Sequence, residues 1–204
     1  VHSMARVVLE GDHEVAAPAL ADPAPPRQGQ GEVFRLNPAL TDWAYALTKG
    51  IALPDDPAIA AERARYIGFP NAQRPPFVLM GDQLAALTFW HGKRMTDWAN
   101  RWVRYWTEGK GEFVTSAMEE TGSFQSIEYL SRIGRADRDR VLVLRTGSNY
   151  TMPPPGVTAA DYLLRENEGY AGLHAAVENL YRVGEPVVAA LLAGWPRYEK
   201  APPR

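Results

Sequence analysis

Two arrangements of apolar residues run through this chain. In one they recur every three or four positions, the mark of a helix with one buried face. In the other, four or five stand side by side, as in a buried strand. The helical spacing predicts elements over residues 38–49, 58–67, 93–106 and 121–133. Asn37-Pro38 and Asp56-Pro57 each put a capping side chain ahead of a proline at the first helical position. Gly50, Gly68 and Gly134 stand where those helices should stop. Within 93–106, Trp98, Trp102 and Trp106 share one face at i, i+4 and i+8, a stripe that reads as core or subunit interface. Thr158 and Asp161 match a capping box with Asp in the place of Glu. A last helical region, 170–192, carries Gly184 and Pro186 and is expected to break there.

The strand-like runs are 6–9, 32–36, 76–80, 112–117 and 141–144, with 76–80 and 141–144 expected to be buried. Residues 18–30, dense in Pro, Ala, Gly and Gln, read as a flexible surface loop. The Pro153-Pro154-Pro155-Gly156 block can be neither helix nor central strand. Strands alternating with helices predict an α/β layered domain, and without an internal repeat the expectation is one domain over 1–204.

Composition narrows the functional classes. An apolar share of 46% supports a real core, and a net charge of −2 gives no electrostatic reason to expect nucleic acid as a partner. The chain has no Cys, which removes disulfides, thiolate nucleophiles and zinc–thiolate sites together. No apolar run approaches the roughly 20 residues of a membrane-spanning helix. The first ten residues lack the charged start and long apolar stretch of a signal peptide, and read as a chain beginning in mid-strand. Compartment stays open: periplasmic or secreted with an export signal upstream of Val1, cytoplasmic otherwise.

Candidate chemistry concentrates between Met118 and Tyr150. Glu119 and Glu120 precede a helix, where acids complement the macrodipole by about 0.3–1 kcal/mol each. A carboxylate there can equally accept two adjacent hydroxyls of a ribose, with Met118 packing on the flat of the sugar; both readings stand. Arg145, Ser148 and Asn149 follow the 141–144 run, and polar residues past the carboxyl end of a strand are where ligands bind in α/β sheets. Arg145 needs an acidic partner if buried, and Glu119 or Glu120 is available. Ser148 and Asn149 are also ordinary turn formers, but an Asn amide can pair bidentately with a purine edge. Asp82, after the 76–80 run, reads first as a turn or helix cap and second as a ligand contact. Trp90-His91 sets an indole beside an imidazole, a pair suited to stacking on a base. The histidines are scattered, so no metal site is expected, and neither a phosphate-cradling Gly loop nor a Gly-x-Ser-x-Gly elbow is present.

Four phrases in order carry a family resemblance. They are Arg74-Pro75-Pro76-Phe77-Val78-Leu79-Met80-Gly81-Asp82, Thr88-Phe89-Trp90-His91-Gly92, Ala117-Met118-Glu119-Glu120-Thr121-Gly122, and Leu144-Arg145-Thr146-Gly147-Ser148-Asn149-Tyr150 running on to the Pro153–Gly156 block, with Leu36-Asn37-Pro38 and Val183-Gly184 fitting the same pattern. Together they resemble the purine nucleoside permease family, whose sequences are in turn similar to soluble nucleoside phosphorylases. The resemblance implies a mixed central sheet flanked by helices, of which this chain would be the C-terminal portion, with the phosphate or water side of the site upstream or on another chain. It puts Met118 and Glu119 on a ribose-binding pair and Ser148 and Asn149 on a base-binding pair, with Glu120, Arg145, Trp90, His91 and Asp82 as further substrate contacts. Asn149 stands where the enzymes more often have Asp, and an amide cannot donate a proton as a general acid.

By that resemblance the ligand is a purine nucleoside, with no cofactor beyond phosphate as a co-substrate. The partner is a second copy or the missing N-terminal half. The first expected function is N-glycosidic cleavage by phosphate or water, with Glu119 holding the ribose and Asn149 stabilising the departing base. The alternative from another class is a nucleoside-binding component of an uptake system, with no chemistry. A truncated fragment that folds only with its missing half is the third.

Overall fold

The computed structural model of this chain describes residues 4–6, 33–85, 89–166 and 172–204, of which 4–6 and 166 as backbone only. The expected loop at 18–30, residues 7–9 of the first strand and the start of the last helix at residue 170 lie outside the described residues. The rest is a mixture of helices and a small, largely parallel sheet, the α/β organisation that the alternating pattern predicts. The chain divides into two compact units.

The first unit comprises residues 1–41, 80–90 and 94–142. Its sheet has four strands, β1 (Met4–Arg6), β2 (Val33–Phe34), β3 (Asp82–Ala85) and β4 (Phe113–Ala117), in the order β2-β1-β3-β4. β1 pairs antiparallel with β2 and parallel with β3, and β3 pairs parallel with β4. Between β3 and β4 runs α3 (Lys93–Trp106), as the tryptophan spacing predicts. Leu84, Trp90, Trp98 and Ala99 form a buried cluster, with Met95, Trp102 and Phe113 packed against it. After β4 comes α4 (Glu120–Arg132), which Gly134 ends at φ 70° in the left-handed region, while Arg135 N–H donates to the Leu130 carbonyl at 2.8 Å. Phe124 of α4 stacks on Phe34 of β2 at 5.6 Å between ring centroids. The first turn of α1 (Pro38–Thr48) is capped by Asn37, whose Oδ1 accepts from Ala39 and Leu40 N–H at 3.1 and 3.3 Å.

The second unit comprises residues 42–79, 91–93 and 143–204. It holds the rest of α1, then α2 (Pro57–Ala64), α5 (Ala159–Glu166), α6 (Leu173–Ala193) and α7 (Trp195–Tyr198). Asp56 caps α2 by accepting Ala58 N–H at 2.7 Å. α2 stops earlier than its apolar pattern predicts, because Arg65 and Tyr66 N–H bond three residues back and turn the Tyr66 ring inward. Thr158 caps α5 by accepting Asp161 N–H at 3.1 Å, and its hydroxyl donates to the Asp161 carboxylate at 2.7 Å. Trp43 of α1 meets Tyr198 of α7 edge to face.

Three sequence expectations are corrected. Residues 76–80 are not a buried strand: Pro75 and Pro76 have no N–H to give a ladder, Phe77, Leu79 and Met80 are exposed, and the Arg74 guanidinium covers the Phe77 ring at 3.6 Å. The strand begins two residues later, at Asp82, and all four of its residues are buried. Residues 141–144 join no ladder among the described residues; they are half-buried, with Leu144 against Gly184 of α6. α6 does not break at Pro186. The proline forfeits one helical hydrogen bond, but the buried stripe of Ala176, Asn179, Val183 and Val187 runs past it and holds the turns together.

Candidate functional site

In the first unit, the strands define where ligands have access. Arg6 pairs with Ala85, and Ala85 with Ala117, so the carboxyl ends of the three parallel strands lie level along one sheet edge. Met118 and Glu119 follow directly from that edge, the position at which open α/β sheets bind ligands. Glu119 occupies the N-cap of α4 in helical geometry, φ −98° and ψ −30°, and makes no side-chain cap bond. Its carboxylate instead accepts Met118 N–H at 3.2 Å, while its carbonyl accepts from Ser123 N–H. Adjacent acids thus receive opposite environments. Glu119 and Met118 (43% exposed) face solvent, whereas Glu120 is 9% exposed in the first helical turn.

Asp82 and Trp90 are placed otherwise than the sequence order suggests. Asp82 opens β3 rather than following a strand, so it lies at the amino end of the parallel ladder, about 10 Å from the carboxyl edge at ~3.3 Å per residue. It is 2% exposed, and its Oδ2 accepts Glu112 N–H at 2.9 Å, tying β3 to the start of β4. Gly111 is required beside it, since a Cβ there would meet that oxygen at 2.6 Å. Trp90 is buried in the core, and its indole N–H donates to the Met95 carbonyl at 3.0 Å.

In the second unit, residues 145–156 pass along a scaffold of tyrosines. Arg145 is exposed, while Ser148 and Asn149 are half-buried. The Ser148 hydroxyl donates to Asn149 Oδ1 at 3.1 Å, and Asn149 Nδ2 approaches the Tyr150 carbonyl at 3.4 Å. Tyr150 donates to the Ala72 carbonyl at 2.7 Å and packs its ring 4.1 Å from that of Tyr66. Tyr66 donates to the Met152 carbonyl at 2.8 Å and lies 3.3 Å from the Tyr162 hydroxyl. Tyr162 in turn donates to Glu62 at 2.9 Å, and Glu62 is held by Arg65 at 2.7 Å. Gly92 N–H takes the Thr151 carbonyl at 2.7 Å. Arg63 grips Asp55 through both guanidinium nitrogens at 2.5 and 2.6 Å, which holds the Asp55 carboxyl below its ordinary pKa.

His91 belongs to this scaffold. Its ring lies parallel to that of Tyr162 at 5.6 Å, and the carbonyls of Ala159 and Tyr150 face it. Burial lowers its pKa, partly offset by those carbonyls. Burial likewise raises the Tyr66 and Tyr150 hydroxyls above their ordinary values. Sequence reasoning found His91, Ser148 and Asn149 but not Tyr66, Tyr162, Glu62 or Arg65. Tyr66, Tyr162 and Glu62 find partners 86 to 100 positions away, and no local signal marks them.

The purine nucleoside permease family model matches residues 15–203. The chain belongs to the purine nucleoside permease family. The match takes in the β4–α4 junction and the 145–156 segment alike. A purine nucleoside permease of Candida albicans is 26% identical over 170 residues, covering 83% of this chain and 41% of the relative. A Schizosaccharomyces pombe protein described as a probable purine nucleoside permease is 27% identical over 166 residues, covering 81% of this chain and 47% of its own length. This permease-family chain thus spans less than half the length of the curated relatives it matches. No solved structure matches it. Among the described residues, no helix is long and apolar enough to cross a membrane, and no group of three or more His, Asp or Glu is placed to hold a metal ion.

Proposed function

We propose that this chain forms a purine-nucleoside-binding part of an uptake protein, and that it holds its ligand without breaking the N-glycosidic bond. The observation that carries the reading is the position of Met118 and Glu119, directly past the carboxyl edge of the parallel strands in a permease-family chain. Glu119, exposed and ionised beside a helix N-terminus, accepts the two ribose hydroxyls, and Met118 packs on the sugar. Asn149, its amide oxygen held by the Ser148 hydroxyl and both presented by the tyrosine scaffold, turns its Nδ2 donor to the N7 and O6 side of the base. Glu120, Arg145, Trp90, His91 and Asp82 act around these contacts, Asp82 and Trp90 by fixing the sheet and its core. We infer with this a nucleoside-phosphorylase-like fold, in keeping with a mixed sheet flanked by helices.

An amide at position 149 favours binding over cleavage, because it cannot protonate a leaving base. The test pairs titration calorimetry with chromatography of inosine, with and without phosphate. Inosine that binds and is recovered unchanged, with at least about tenfold weaker binding in Glu119→Ala, supports the reading. Free hypoxanthine would overturn the no-chemistry claim, and phosphate dependence would name the acceptor. Unaltered affinity in Glu119→Ala would remove the ribose assignment.

A further inference from the structure

α6 carries one buried polar side chain on its apolar stripe. Gly172, Ala176, Asn179, Val183 and Val187 fall on one face at the helical period of 3.6, and the last four are buried. Asn179 is 7% exposed, and its amide oxygen has no hydrogen-bond donor among the described residues. An acceptor buried without a donor is destabilising, and native interiors keep few of them. Gly172 lies hard against the Ser148 carbonyl, and a Cβ on Gly184 would meet Leu144 Cδ2 at 3.5 Å. Residues 144–148 therefore run antiparallel to α6. Asn179 shares the Gly172 face, about 10 Å further along the axis at ~1.5 Å per residue, while Gly184 meets Leu144 on another side of the helix.

We propose that Asn179 is a base-recognising residue whose amide oxygen accepts the ring N–H next to the 6-oxo group of a purine. The proposal rests on the reading that Asn149, positioned by Ser148, meets N7 and O6 of the base through its Nδ2 amide. On a 6-oxopurine the next polar atom round the ring from O6 is N1, and it is a donor. Ser148 and Asn149 spend an acceptor on each other, since the Ser148 hydroxyl donates to Asn149 Oδ1. The orphan oxygen of Asn179, on the helix face that abuts Ser148, supplies the acceptor that N1–H needs.

The experiment is calorimetric titration of inosine and of 1-methylinosine, in which a methyl replaces that hydrogen, into the wild type, Asn179→Leu and Asn179→Ala. The wild type should prefer inosine by at least about tenfold, and both variants should lose that preference by weakening inosine alone. Asn179→Leu should match or exceed the wild type in Tm, since it replaces an unpaired amide on an apolar stripe with a hydrocarbon. A wild type that binds inosine while both variants keep its preference overturns the Asn179 assignment and leaves the nucleoside reading standing. So does a lowered Tm in both variants with the preference retained, the sign of a purely structural amide. A wild type that binds neither compound overturns both readings.

Discussion

Replacing Gly172 by alanine tests how rigidly the start of α6 is set against Ser148. Gly172 has φ −87°, a conformation any residue adopts, so the substitution carries no backbone strain. The cost is steric. A Cβ there would sit closer to the Ser148 carbonyl oxygen than real Cβ atoms come, 3.0 Å from its carbon and 3.4 Å from its Cα. The obstacle is main chain rather than a side chain that can swing aside. Overpacking of this kind costs about 1–3 kcal/mol, and loss of glycine's freedom in the unfolded chain returns about 0.4–1 kcal/mol. The expected net is a destabilisation of up to about 2.6 kcal/mol, or up to ~10 °C in Tm for a chain of this size. Gly147→Ala is the internal control, one residue before Ser148, with nothing within 4 Å of its Cβ and no positive φ. It should leave stability unchanged or raise it by about 0.4–1 kcal/mol. Urea unfolding of both variants, with inosine titration of each, reads the outcome. Gly172→Ala should also weaken inosine binding, because the Ser148 carbonyl has to move. A Gly172→Ala protein as stable as Gly147→Ala would refute the reasoning, and with it the alignment of residues 144–148 on α6.

The tyrosine scaffold and His91 give two further outcomes. Tyr162→Phe removes the 2.9 Å bond to Glu62 and the contact with Tyr66 inside a buried network, so it should cost about 1.5–3 kcal/mol by urea unfolding while Glu62 stays paired with Arg65. For His91, burial puts the folded pKa below the ordinary 6.5, so the unfolded chain takes up its proton first as pH falls. Stability is therefore full above about pH 6.5 and declines below it until the folded pKa is reached. His91→Gln should flatten that part of the profile between pH 7 and 5, and an unchanged slope in the variant would show that His91 is not the group responsible.

The parts of this fold that were legible in the sequence are those decided within a few residues. Asn37 and Asp56 cap helices at their own second and third N–H groups, and Trp98 and Trp102 of the tryptophan face pack on the Leu84 cluster where their period puts them. The errors share one cause. Residues 76–80 and 141–144 are as apolar as strands, but a strand needs a partner, and hydrophobicity does not supply one. β3 was missed because Asp82 and Gln83 look like a turn and are instead buried beside β4. Pro186 read as a break because the stripe that carries α6 past it is a tertiary fact. For the candidate site, residue types that grip sugars and bases could be named in advance. Which of two neighbouring glutamates faces solvent, and which tyrosines shape the loop, depended on contacts far away in sequence.

The sheet order also sets a timetable for synthesis. β1 is made before its parallel neighbour β3, so Met4 has to wait for Gln83. Roughly 80 residues emerge in between, about 4–16 s at ~5–20 residues per second on a ribosome. Among the described strands, β2 is the one made in that interval, and an isolated two-stranded ribbon is marginal in water. The chain must therefore keep its first strand uncommitted while most of the first unit is still being made. Slow, non-local closure of this kind is where a nascent chain is most exposed to pairing with another copy of itself.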